Sequence, residues 1–130
     1  MLIKSSNHLN RFVREITYFV IESIYLVMTD PEKEKRFNDV CHALSPITAQ
    51  GLGDNWSQVR FSASRAVRAY YGYSQKFKNL EDLEAKYNPE LIPRMCLNRY
   101  YVAEGVRNFS IDTWRIVCGE KGKDLVCDLA

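Results

Sequence analysis

Glycine and proline are scarce in this chain, six and four of 130 residues, and no low-complexity stretch occurs. That excludes a collagenous, linker-like or disordered protein. Histidine is scarcer still, with only His8 and His42. The four cysteines, Cys41, Cys96, Cys118 and Cys127, include no closely spaced pair. A structural zinc site wants its ligands in such pairs, so no metal is expected. Cys41, Cys96 and Cys118 fall on apolar helical stripes, where a free thiol acts as a small hydrophobe. Thiols used that way point to a reducing compartment, the cytoplasm with the nucleus as the other choice. An excess of basic charge is also missing. Lys and Arg number 18 against 16 Asp and Glu, and the two signs are interspersed. That balance argues against a nucleic-acid binder.

Long apolar runs are absent too. The run from Ile16 to Met28 is shorter than the roughly 20 residues a membrane span needs, and Glu22 interrupts it. Thr29-Asp30-Pro31-Glu32 after it lacks the small residues of a signal-peptide cleavage site. A buried helix is the expected reading, with no membrane partner. Catalytic arrangements are missing as well. Gly51-Leu52-Gly53 is not followed by the Lys-Ser or Lys-Thr of a phosphate-binding loop. Cys41 and His42 are adjacent, and neighbours on a helix do not face each other. The acidic run Glu81, Asp82 and Glu84 reads as a solvated face. No enzyme and no cofactor are expected.

What is present is helical periodicity, in one domain spanning residues 1–130. Residues 1–6 read as a loose tail. Asn7 or Asn10 caps a first helix running to about Met28, with a wide stripe from Phe12, Val13, Ile16, Phe19, Val20, Ile24 and Val27. Such a stripe implies neighbours on two sides. Asp30-Pro31-Glu32 opens a second helix carrying Phe37, Val40, Cys41, Leu44 and Ile47. Pro46 either kinks it or ends it at Leu44. Asn55 with Gln58, or else Asp54, caps the next helix. That helix lines up Val59, Ala63, Ala66, Val67 and Tyr70, and Gly72 is its expected stop. Residues 73–88 read as a less ordered insert. Asn88-Pro89-Glu90 starts a further helix, for which two registers compete. In one, Val106-Arg107 and Pro93 repeat Val59-Arg60 and Pro46 at a spacing of 47. In the other, favoured because Asp54 would map to Tyr101, the helix runs unbroken to about Arg107 and Ser110 caps a short helix. Gly119 to Gly122 is a turn, and Asp124 to Leu129 begins a new amphipathic segment.

Pro46 in a first helix, Asp54 in the turn and Val59-Arg60 early in a second helix resemble a HEAT repeat over about residues 37 to 72. The segment Leu91 to Arg107 also looks like eukaryotic HEAT-containing proteins. The spacing of 46 from Val13-Arg14 to Val59-Arg60 suits such repeats, which run about 40–47 residues. The resemblance to the HEAT/armadillo superfamily implies an all-α fold. It would be a short right-handed α-solenoid of stacked antiparallel helix pairs, about two and a half repeats, possessed of an Asp–Arg ladder involving Asp54 and Arg60. It also implies a non-catalytic scaffold that holds other proteins.

On the helix from Trp56 to Tyr71, the face opposite the core stripe presents Ser57, Phe61, Ser64, Arg68 and Tyr71, with Arg65 beside it. Arg and aromatic residues are enriched where partners bind. Phe61, Arg65, Arg68 and Tyr71 are therefore the expected protein-binding residues. The competing expectation is that segment 73–88 folds over Phe61 and Tyr71. The alternative function is a nucleic-acid-binding HEAT-like module gripping a phosphate backbone with the same side chains. Arg94, Arg99, Tyr100 and Tyr101 form a second cluster, read as packing, and Trp56 and Trp114 are read as anchors between layers. The chain ends where stacked helices would continue. That implies a fragment of a longer array, or an open C-terminal end covered by a partner or by self-association.

Overall fold

The computed structural model describes residues 2–28, 33–74 and 81–119, and among them there is no strand. Six helices follow in order: α1 Leu2–Ser6, α2 Arg11–Val27, α3 Glu34–Gly51, α4 Ser57–Ser74, α5 Glu81–Asn98 and α6 Glu104–Val117. Contacts run along two rows. The helices α2, α4 and α6 pack in sequence in one row, and α1, α3 and α5 in the other. Further contacts tie α3 to α4 and α5 to α6.

The elements recur. Glu81 starts α5 47 positions after Glu34 starts α3, and the last residues of these helices, Gly51 and Asn98, are also 47 apart. Both helices carry a proline at their thirteenth residue, Pro46 and Pro93. Helices α4 and α6 likewise start 47 apart, and α2 starts 46 before α4. The fourth residue of each helix in this second row is an arginine that bonds carbonyls of the turn before it. Arg14 donates to His8 and Leu9 O, Arg60 to Asp54 O, and Arg107 to Tyr101 and Val102 O. Turn carbonyls facing a helix start have no backbone donor of their own, and a guanidinium supplies several.

The core lies between the two rows. The stripe expected on α4 is buried throughout: Val59, Ala63, Ala66, Val67 and Tyr70. Ile21 and Tyr25 from α2, Cys41 and Leu44 from α3, and Leu91 and Ile92 from α5 complete it. Each fully buried Leu or Ile contributes about 1.5–3 kcal/mol. At the end of α3, Gly51 lets the Tyr18 ring approach its backbone, with Tyr18 donating to Ile47 O at 2.9 Å.

Several expectations need correction. Residues 2–6 form a helix rather than a loose tail, with Ser6 buried and Asn7 bonded to Gln50. Of the two outcomes expected at Pro46, the end at Leu44 is the one that fails, since α3 continues through the proline to Gly51. Gly72 does not stop α4, which ends at Ser74. Helix α5 starts at Glu81, so Pro89 lies inside it rather than at its start; the ring of Pro89 is exposed, where a lost backbone bond can be met by water. Of the insert expected at 73–88, residues 75–80 lie outside the described residues, and the rest belongs to α4 and α5. The Asp30-Pro31-Glu32 start and the segment after Gly119 also lie outside them.

The largest correction concerns the helix expected to run to Arg107. It ends at Asn98, a turn follows, and α6 begins at Glu104. Tyr100 and Val102, which extend the apolar pattern across the break, are exposed. Arg107 satisfies the turn carbonyls in place of a glycine, proline or acid. The register with Val106-Arg107 repeating Val59-Arg60 is the one adopted, and Ser110 sits buried inside α6.

Candidate partner-binding groove

Helix α4 is the centre of its row, and its side chains reach both neighbours. Arg65 donates to the Glu22 carboxylate of α2 at 2.9 Å and lies 5.5 Å from the Phe19 ring. Arg68 turns the other way. It donates to Thr113 Oγ1 at 2.8 Å and to Phe109 O at 3.1 Å, and its guanidinium lies 3.6 Å over the Phe109 ring. Burial lowers the Arg68 pKa, and the charge of Asp112 acts against that shift. Phe61 packs edge-on against Phe109, with ring centres 5.3 Å apart.

Tyr71 is not on this face. It is 2% exposed and donates to Asn88 Oδ1 of α5 at 2.6 Å. Ser64, expected beside it, is also buried. The helix is crowded on more sides than an isolated amphipathic helix, so the side opposite the core stripe is itself half covered. Of the four expected binding residues, Phe61, Arg65 and Arg68 share the row's surface and Tyr71 belongs to the interior.

Beside Arg65 and Arg68 lies a groove of about 190 Å³ between the C-terminal halves of α2 and α4. Glu22, Leu26, Ala69 and Gly72 line it, with Tyr25 and Tyr73 below. The Arg65 side chain is 42% exposed, and Leu26 is exposed at the rim. At Gly72 nothing lies within 4 Å of the place a Cβ would take. The groove thus offers an apolar rim, a paired acid and base, and an open floor. No motif flags Leu26 or Gly72; only the meeting of α2 and α4 brings them together.

The ladder residues assemble in a specific way. Asp54 accepts two bonds from Arg14, at 2.8 and 3.1 Å, and holds the turn before α4 by accepting the Trp56 amide at 2.9 Å. Arg60 reaches forward to Asn98 Oδ1 at 2.7 Å and stacks 4.1 Å from the Tyr101 ring. Tyr101 stands 47 positions after Asp54, so a ring replaces the carboxylate as the arginine's partner. Asn98 also donates to Leu52 O and is 1% exposed. It ties the ends of α3 and α5 to the start of α4, and sequence reasoning missed it, because one Asn in an apolar stretch carries no signal. The expected anchors divide: Trp114 is buried beneath Arg99, whereas Trp56 is half exposed beneath Arg11.

Burial pushes the Cys41 thiol up to about 12 and Cys118 to about 11, so both stay protonated at neutral pH. Among the described residues, no cluster of His, Cys, Asp and Glu is placed to hold a metal ion, and no helix is long and apolar enough to cross a membrane. Comparison with known families, with curated proteins and with solved structures finds no match to this chain.

Proposed function

We propose that this chain is a non-catalytic protein-interaction scaffold, a short right-handed solenoid of HEAT type that holds a partner in the groove between α2 and α4. The observation that carries the reading is the recurrence of one unit at 46 and 47 residues, each with an arginine at the fourth position of its second helix clasping the turn before it. A unit repeated in this way buries its apolar faces against its neighbours and leaves an extended surface for partners. The arginines offered to nucleic acid in the alternative reading are engaged within the chain: Arg65 by Glu22 and Arg68 by Thr113 and the Phe109 carbonyl. That supports a protein partner over a phosphate backbone. The buried thiols support placing it in a reducing compartment such as the cytoplasm.

The test is a pull-down from native extract with the intact chain and with Gly72→Tyr. Nothing lies within 4 Å of the place its Cβ would take, so the tyrosine starts from open space on the helix and its ring intrudes on the groove. A partner retained by wild type and by a distant surface variant, Arg94→Glu, but lost with Gly72→Tyr supports the groove. An identical partner list for all three removes it.

A further inference from the structure

The row of α2, α4 and α6 has a bare face at each end among the described residues. On α2, Ile16 is 61% exposed, Val20 and Ser23 are exposed, and Phe19 is half buried. On α6, Ile111 is 45% exposed and Arg115 is exposed, its guanidinium bonded one turn back to Asp112. These two faces occupy matching places in the repeat. Helix α4 meets α2 with Arg65, and Ser62, Ala66 and Ala69 share that face at helical spacing. Counting back 46 positions, these four become Phe19, Ile16, Val20 and Ser23. Helix α6 meets α4 with Phe109 and Thr113, which 47 positions back are Ser62 and Ala66. The bare stripe on α2 is therefore the receiving face that α4 and α6 have already filled.

The giving face recurs equally. Helix α2 sends Glu22 to α4, and α4 sends Arg68 to α6. The next residue in that series is Arg115. On the next helix Glu22 meets Arg65, and Arg68 meets Phe109 and Thr113; counted back along the repeat to α2, those places are Phe19, Ile16 and Val20. An exposed arginine next to Ile111 on one end, and an uncharged stripe holding Phe19 on the other, are complementary.

We infer that a second copy of this chain docks its α6 face on the α2 face, continuing the row head to tail with Arg115 and Ile111 against the Ile16 and Val20 stripe. This rests on the repeat reading above. The contact joins two different surfaces, so a pair keeps one free face at each end and assembly grows beyond the dimer with concentration.

Sedimentation of the intact chain over a wide concentration range, with Ile16→Asp and Ile111→Asp, tests it. Wild type is expected to rise above twice the monomer mass. Each variant alone stays monomeric, since each has lost one face. Their equimolar mixture forms a one-to-one dimer and stops there. Both positions are exposed, and matching circular-dichroism melts show that the fold survives. Monomeric wild type at every concentration overturns the inference. So does self-association of Ile111→Asp alone, which means an α2-to-α2 contact. The α2–α4 packing from which the row is built has its own test in the charge swap Glu22→Arg/Arg65→Glu. If the double variant regains the melting temperature lost by each single variant while wild type stays monomeric, only the head-to-tail contact fails.

Discussion

The Tyr87 hydroxyl of α5 donates to the His42 carbonyl of α3 at 3.1 Å. That carbonyl is the one Pro46 leaves without an amide donor, four residues on in the same helix. With the hydroxyl hydrogen committed there, the 2.8 Å contact between Tyr87 Oη and His42 Nδ1 calls for the proton on Nδ1. One side chain thus completes a proline-interrupted helix and binds it to its row neighbour.

Replacing Tyr87 with Phe leaves the carbonyl unmet and is expected to cost about 1–2 kcal/mol in urea unfolding. In a Pro46→Ala background the restored amide takes over, so the same replacement should cost at least about 0.5 kcal/mol less. Equal costs in the two backgrounds would show that the hydroxyl does not serve the proline.

Asp54 holds Arg14 through two bonds and fixes the turn before α4 through the Trp56 amide, with both carboxylate and guanidinium largely shielded. Asp54→Ala leaves that guanidinium facing an empty place and the Trp56 amide without its acceptor. A loss of about 3–5 kcal/mol follows. Asp54→Asn keeps an acceptor for the Trp56 amide and should cost less. Thermal melting of both variants checks the order.

Two glycines should respond with opposite signs. At Gly51 an added Cβ would lie 2.3 Å from the Tyr18 ring, so Gly51→Ala destabilises by about 1–3 kcal/mol. At Gly72 the space is open inside a helix, so Gly72→Ala stabilises by about 0.5–1 kcal/mol. Calorimetry of the two variants against wild type reads both.

Alkaline pH should weaken the fold. Burial raises Cys41 to about 12 and Cys118 to about 11, and lifts Tyr18 and Tyr25 above their ordinary value. The unfolded thiols release their protons near pH 9 while the folded ones keep them. Their stabilisation is complete below pH 9 and falls by about 1.4 kcal/mol per unit for each group as pH rises through the folded values. Urea midpoints from pH 8 to 11 should decline, and more gently in Cys41→Ala.

Much of this arrangement could be read along the chain. Asn10 does cap α2, accepting the Phe12 amide, and the α4 stripe from Val59 to Tyr70 is buried as its spacing requires. The Arg14 and Arg60 positions, 46 apart, carry one role. The break after Asn98 was not legible. Its turn is held by Arg107 and by Asn98, which take the duties of an acid or glycine from residues a helix would accept as readily. The burial of Tyr71 is one of two competing expectations, and its bond to Asn88, at the end of segment 73–88, decides for coverage of Tyr71 by that segment.

Periodicity by itself determined that this chain is helical, where its central helix lies and which residues share a side of it. A 3.6-residue period is local and needs no partner. Which side is covered was decided only in three dimensions. Phe12, Ile16 and Val20 have the pattern of core residues and stand exposed, while Ser62, Ser64 and Asn98 are polar and buried. Coverage depends on which helices meet, and that depends on contacts between residues some 40 positions apart.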